Sequence, residues 1–156
     1  MDLIRCCQYS IHDLSMQSLD TTSGLPRFNM AFELGLVIGC INSGAEHASK
    51  KFLVFDSAPH RLDISCSDLK GYDGASHAGD PKDMIISARE WLANSAGRRR
   101  LYLPEHLIPE FEEFEERLPE ICTFLMRPVN RIAYPDLCWL LEEFFIEKDT
   151  PLSLGA

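Results

Sequence analysis

The sequence predicts an α/β fold in which a short parallel sheet is flanked by helices and followed by a helical C-terminal part. Strand-like and helix-like segments alternate along residues 8–97, and only helical periodicity follows them. Strands that alternate with helices pair in parallel through right-handed crossovers. We therefore expect an α/β domain over residues 1–97, a helical extension packed on it over residues 98–149, and a flexible tail over residues 150–156.

The first strand and the first long helix follow from hydrophobic periodicity. Residues 8–14 alternate between apolar and polar side chains, which is typical of a strand. Apolar residues recur at helical spacing over residues 29–42, and Asn29 is a suitable N-cap for that helix. Gly35 and Gly39 each cost roughly 1 kcal/mol of helix propensity relative to alanine. We therefore expect these glycines to allow a close approach of the helix to the sheet.

Two further strands and a second long helix complete the predicted α/β domain. Residues 51–56 (KFLVFD) are continuously apolar between charged ends, as expected of a strand covered on both faces. Residues 72–77 are expected to hold a third, short strand, and the segment between these two strands to be irregular. Asp80 followed by Pro81 predicts a helix start, and Gly97 predicts its end.

The rest of the chain is predicted to be helical. Residues 2–7 indicate the last turns of a helix, and further helices are predicted to start at Pro109 and Pro135. Pro119 is expected to kink or divide the first of the two later helices, because proline removes a backbone donor.

Composition excludes several classes of protein. The formal net charge of −9 disfavours binding to nucleic acid. The one basic run, residues 98–100, is expected to be a solvated loop, and the alternative is a contact with a phosphate or a partner. No apolar stretch is long enough to cross a bilayer, and no signal peptide is visible, so we expect a cytoplasmic protein with no membrane partner. The six scattered cysteines form no CxxC pair, and no zinc-type ligand spacing is present, so we expect no metal site.

Three acidic residues are predicted to converge at one edge of the sheet. Asp13 and Asp56 end two strands, and Glu33 lies in the first turn of the intervening helix. Open α/β sheets bind ligands beyond the carboxyl ends of their strands, and helix N-termini attract anions. The alternatives are that Asp13 caps a turn and that Glu33 is favoured by the helix dipole alone. Arg27 is the nearest basic candidate partner for Glu33.

The sequence also resembles a known group of domains. Residues 9–15 (YSIHDLS) and 26–35 (PRFNMAFELG) resemble the middle of TIR-like and nucleoside deoxyribosyltransferase-like domains. Those domains show a strand ending in an acid and then an Asn-x-x-(Phe/Tyr)-Glu-Leu-Gly helix start. Residues 67–73 (SDLKGYD) are similar to the Ser-Asp-Leu-x-Gly segment of bacterial TIR-like predicted nucleotide-binding proteins. The resemblance covers roughly residues 7–93 and not the helical C-terminal part.

The resemblance implies a flavodoxin-like fold, a nucleotide, nucleoside or NAD as ligand, and no required cofactor. It implies that Glu33 is the catalytic carboxylate of N-glycosidic cleavage, with NAD or a nucleoside as substrate, in bacterial defence signalling. A carboxylate suits that reaction because the sugar develops oxocarbenium character. Asp13 would then hold ribose hydroxyls, and Asn29 would orient the ligand. The expected ligand-binding residues are Asp13, Ser15, Arg27, Asn29, Asp56, Asp68 and Tyr72.

The sequence departs from these families at one point. They carry a first strand and a loop that help to bind the ligand, and the sequence shows no such segment before Asp2. We therefore expect a truncated TIR-like domain whose exposed sheet edge is covered by a second copy or by another chain. The alternative functions are a non-catalytic nucleotide-binding or protein-assembly module of the same fold and a purely structural scaffold.

Overall fold

The computed structural model shows two compact units, Met1–Pro104 and Glu105–Ala156. The residues it describes are 2–17, 19, 21–22, 24–69, 72, 74–97, 101–124, 126 and 128–149. The predicted tail, residues 150–156, and the basic run, residues 98–100, lie outside the described residues.

A three-stranded parallel sheet forms the centre of the first unit. Its strands are β1 (Tyr9–Asp13), β2 (Lys51–Asp56) and β3 (Gly74–Ser76), in the spatial order β1-β2-β3. The predicted α/β class with a short parallel sheet is therefore confirmed. The three strands lie within the segments predicted for them, and β2 has the predicted bounds.

Four helices accompany the sheet in the described part of the first unit. They are α1 (Asp2–Cys6), α2 (Asn29–Asn42), α3 (Arg61–Ser65) and α4 (Pro81–Ala96), with short 3-10 turns at Ala45–His47 and Ser67–Leu69. The segment between β2 and β3 was expected to be irregular, and that prediction is wrong because α3 and a 3-10 turn lie there. Both elements are too short to show helical periodicity in the sequence.

The helices cover opposite faces of the sheet. On one face, Leu14 after β1, Leu34 of α2, Val54 of β2 and Leu62 of α3 form a buried cluster. On the other face, Trp91 of α4 packs edge-on against Tyr9 of β1, with 6.0 Å between the ring centroids. Successive side chains of a strand point to opposite faces, so the even-numbered residues of β1 face α2 and its odd-numbered residues face away from it.

The predicted start and end of α4 are confirmed. The Asp80 side chain accepts a hydrogen bond from the Lys82 amide at 2.8 Å, and Pro81 is the first helical residue. Gly97 has φ +62° at the C-cap, a left-handed conformation that suits glycine.

Two details predicted for α2 are wrong. Phe28, not Asn29, is the N-cap residue; its backbone is already helical, so Asn29 is the first residue of the helix. A methyl group added at Gly35 or at Gly39 would meet nothing within 4 Å. Both glycines are exposed, so they do not serve the expected close approach to the sheet. Leu34 and Val37 are the residues of α2 that are buried.

Lys50 ties α1 to the start of β2. It is buried, and its ammonium group donates to the carbonyl oxygens of Arg5 at 2.7 Å and Cys7 at 2.6 Å. A cation at this position also complements the negative end of the short helix dipole.

The second unit contains a pair of helices, α5 (Pro104–Phe124) and α6 (Tyr134–Asp149), with a 3-10 turn at Val129–Arg131. The α5 helix starts earlier than the predicted Pro109 and continues through both Pro109 and Pro119, so the predicted start and division are wrong. Phe114, Leu140 and Phe144 form its buried cluster. No helix in the described part of the chain combines the length and the apolar character needed to cross a membrane.

Candidate functional site

A cavity of about 380 Å³ opens at the carboxyl ends of β2 and β3. Its wall includes Val54 and Asp56 of β2, Arg61 of α3, Tyr72 and Ser76. The volume falls within the range of small-molecule pockets in proteins, and the location is the one at which open α/β sheets bind ligands. The cavity lies entirely within the first unit.

Asp56 places a buried carboxylate in the wall of this cavity. The residue is 5% exposed, and it ends the middle strand of the sheet. Its Oδ1 atom accepts from the Ser57 amide at 2.7 Å and lies 3.3 Å from the Arg61 guanidinium. Its Oδ2 atom is buried and has no hydrogen-bond partner among the described residues. An unpaired buried carboxylate oxygen is costly, so Oδ2 is the atom of Asp56 that still lacks a hydrogen-bond donor.

Arg61 holds Asp56 in position through one end of its guanidinium group. It is the first residue of α3, and its Nη1 atom donates to the Ser57 hydroxyl at 2.6 Å as well as facing Asp56. This arrangement fixes Oδ1 of Asp56 and leaves Oδ2 as the unsatisfied atom. The turn that follows β2 is therefore held by the contacts that Ser57 and Arg61 make with the Asp56 carboxylate.

Tyr72 supplies a half-exposed aromatic ring to the cavity wall. It is 49% exposed, and its ring packs against Phe52 with 5.0 Å between centroids and a tilt of 36°. The contact with Phe52 supports one part of the ring and leaves the rest accessible. Aromatic rings placed in this way stack on flat ligands such as nucleobases.

His60 lies at the wall of the cavity in an unusual backbone conformation. Its φ is +62°, in the left-handed region that is disfavoured for residues with a side chain. Its exposed imidazole Nδ1 lies 3.5 Å from a carboxylate oxygen of Asp63, which also lines the cavity.

Asp13 does not line this cavity and is engaged elsewhere. Its Oδ1 atom accepts from the Ser15 amide at 2.9 Å and lies 3.4 Å from Nε2 of His77. The Gly79 amide donates to Nδ1 of His77 at 3.0 Å, so a neutral His77 carries its proton on Nε2 and donates it to Asp13. This geometry matches the turn-cap alternative for Asp13, with Ser15 in the turn.

Asp13 and Glu33 approach the sheet from different sides. Asp13 is the register partner of Phe55, whose ring packs edge-on against His77 on the face opposite to α2. Glu33 lies on α2, which covers the face that carries His12. The structure therefore does not bring these two acids together on one face.

His12 is the titratable group that Glu33 influences. It is 4% exposed; its Nε2 atom lies 3.0 Å from the Ser10 hydroxyl, and its Nδ1 atom has no partner among the described residues. Burial lowers the pKa of His12 below its ordinary value of 6.5, and the negative charge of Glu33 opposes that shift. The sequence did not point to His12, because the apolar residues of the predicted strand, Tyr9 and Ile11, occupy the odd-numbered positions.

This lowered pKa predicts an acid-sensitive fold. Because the unfolded chain binds the His12 proton more readily than the folded chain does, the contribution of His12 to the free energy of unfolding is largest above pH 6.5 and falls as the pH drops below it. A His12→Gln variant should show a smaller decrease between pH 7.5 and pH 5.5 in urea denaturation. The control is His106→Gln on an exposed position of α5, and an unchanged pH slope in the His12 variant would contradict the prediction.

The remaining predicted site residues are placed as follows. Arg27 and Asn29 are exposed, and no ion pair joins Arg27 to Glu33 in the described part of the chain. The side chain of Asp68 lies outside what the structure describes. Of the predicted ligand-binding residues, only Asp56 and Tyr72 share the wall of the cavity described above.

Arg61 is the residue of this cavity that sequence reasoning missed. In the sequence Arg61 lies four residues after Ser57. This spacing indicates a contact between the two side chains only when α3 is known to start at Arg61. No group of three or more metal-ligating side chains is clustered among the residues that the structure describes.

Comparison with known proteins gives no relative for this chain. No protein-family model matches it, and neither a curated protein nor a solved structure matches it. These comparisons therefore assign the chain to no family.

Proposed function

We propose that the first unit binds a nucleotide or nucleoside, with NAD as one candidate, in the cavity beside Asp56. The observation that carries this proposal is Asp56, which lines a cavity of about 380 Å³ and whose buried Oδ2 atom is an unsatisfied acceptor. Ribose hydroxyls and nucleobase amino groups are donors that could satisfy it. The half-exposed ring of Tyr72 offers a stacking surface beside it.

The resemblance to TIR-like domains supports the choice of ligand. The domains that it concerns have a flavodoxin-like fold and bind a nucleotide or nucleoside, and a cytoplasmic role in bacterial defence signalling is the corresponding biological proposal. The position of the cavity at the carboxyl ends of β2 and β3 fits that class of ligand.

Isothermal titration calorimetry with NAD, ADP-ribose and adenosine tests the binding proposal. We expect at least one of them to bind, and Asp56→Asn to weaken binding by roughly tenfold to a hundredfold, because a charge-assisted hydrogen bond is lost. Asp83→Asn, on an exposed position of α4, is the control for the loss of one negative charge. Binding that is equally strong in both variants, or no binding of any of the three compounds, would overturn the proposal.

Cleavage of an N-glycosidic bond is the second candidate function, with Glu33 as the catalytic carboxylate. The observation that favours it is the buried His12, whose Nδ1 atom is unsatisfied and whose pKa responds to Glu33. His12 is the register partner of Val54, and Val54 lines the cavity. Paired residues of parallel strands share a face and lie about 5 Å apart, so His12 lies next to one residue of the cavity wall.

Chromatographic measurement of nicotinamide release from NAD tests the cleavage proposal. We expect release by the unaltered chain and its loss in Glu33→Gln, with NAD binding preserved because Asp56 and Tyr72 supply the proposed binding contacts. Glu46→Gln, an exposed glutamate after α2, is the matched control. Binding of NAD without any release of nicotinamide would leave the non-catalytic binding module as the function.

We also propose that a second copy, or another chain, covers the outer edge of β1. Within the described residues β1 pairs only with β2, and Ile11 of β1 is partly exposed. An unpaired strand edge is a template for further pairing. Light scattering should give a mass above that of one chain, and the mass of a single chain at micromolar concentration would rule out the second copy.

A further inference from the structure

The charges in the cavity wall are unfavourable for a phosphate group. Among the described residues that form the wall, Asp56 and Asp63 contribute two carboxylates and Arg61 contributes one guanidinium. The Nη1 end of Arg61 is already committed to Asp56 and Ser57. A phosphate carries nearly two negative charges at neutral pH, so it would meet a net negative surface here.

The same wall suits a flat ring that carries N–H donors. An ionised carboxylate only accepts hydrogen bonds, so the unsatisfied Oδ2 atom of Asp56 requires a donor from the ligand. Tyr72 presents an accessible aromatic face at the same cavity. A ring with an amino or amide group can both donate to Asp56 and stack on Tyr72, whereas a ribose without its base can only donate to Asp56.

We infer that, within the nucleotide-binding function proposed above, this cavity holds the nitrogen heterocycle of the ligand and not its phosphate. The exocyclic amino group of the base, or the amide of a nicotinamide ring, donates to Oδ2 of Asp56. The ring stacks on Tyr72, and the phosphate lies outside the cavity. The excess of carboxylates also favours a ring with partial positive charge.

Matched pairs of compounds test this inference on the unaltered protein. Adenosine differs from purine riboside by the exocyclic amino group alone, and nicotinamide riboside differs from nicotinic acid riboside by an amide in place of a carboxylate. For at least one pair we expect the amino or amide compound to bind about tenfold or more tightly than its partner, which corresponds to one charge-assisted hydrogen bond. Ribose 5-phosphate should show no measurable binding.

Variants of the cavity wall show which side chains make the discrimination. In Asp56→Asn the preference for one compound of each pair should be lost, whereas Asp83→Asn removes one negative charge outside the cavity wall and should retain that preference. Tyr72→Ala should weaken the binding of the preferred compound by about tenfold, which is the effect expected from the loss of one stacking contact. Tyr102→Ala alters another exposed tyrosine of the first unit, outside the cavity wall, and should have no effect.

The binding results distinguish the placement of the ring in the cavity from nucleotide binding itself. If ribose 5-phosphate binds as tightly as the nucleosides and Arg61→Gln abolishes its binding, the cavity holds the phosphate and the inference is wrong while nucleotide binding stands. If the two members of each pair bind equally, the inference is likewise wrong. If no compound binds, both the inference and the proposed function fail.

Discussion

Replacing Phe55 by alanine should lower the free energy of unfolding of the first unit by about 4 kcal/mol, because it removes a large side chain from a closed core. Phe55 is 1% exposed near the end of the middle strand, and its ring lies 5.8 Å from that of His77 in an edge-on contact. Urea denaturation followed by circular dichroism measures the loss.

The control for this substitution is Phe32→Ala. Phe32 lies on the outer side of α2 and is 66% exposed, so its truncation should change the free energy of unfolding by only about 0.5 kcal/mol. Similar losses of unfolding free energy in the two variants would show that Phe55 does not occupy a fully buried core position.

Replacing Lys50 by methionine should destabilise the first unit by about 2 kcal/mol. The buried ammonium group of Lys50 donates two short hydrogen bonds to the carbonyl oxygens of Arg5 and Cys7, and hydrogen bonds from charged groups are worth about 1.5–3 kcal/mol each before the gain from burying an apolar chain. Chemical denaturation measures the change, and hydrogen exchange should show faster opening of α1.

The neighbouring Lys51 is a matched control for Lys50. Its ammonium group donates to the Ser95 carbonyl oxygen from an exposed position, so Lys51→Met should cost much less than Lys50→Met. A Lys50→Arg variant should retain part of the stability because it keeps the charge and the donors. Equal effects at the two lysines would contradict the role assigned to Lys50.

The elements that could be predicted from the sequence are those whose patterns are long or sharply bounded. The β2 strand is a continuous apolar run between Lys51 and Asp56, and α4 is bounded by Asp80 and Gly97, so these limits were correct. The short α3 helix gave no periodic signal. The start of α5 was misplaced because Pro104 and Pro109 both resemble a first helical residue, and the helix tolerates the second inside it.

The candidate site could be predicted only in part, because strand ends are visible in a sequence but side-chain partners are not. Asp56 was predicted to lie at the ligand-binding edge because it is the last residue of a predicted strand. The pairing of Asp13 with His77 joins residues from two strands that are far apart in the chain, and no local pattern signals it. The placement of Asp13 and Glu33 on different faces follows from the parity of residues in β1, which depends on which face α2 covers.

The contact between Asp13 and His77 adds a side-chain link to the backbone hydrogen bonds that join the strands at the carboxyl rim of the sheet. Asp13 ends β1 and His77 follows β3, two strands that do not pair with each other, and Phe55 of the strand between them packs against His77. The two outer strands are thus tied at this rim both to the middle strand, through the Leu14 and His77 amides, and to each other. A ligand that binds at this rim therefore meets an edge that is already ordered before binding.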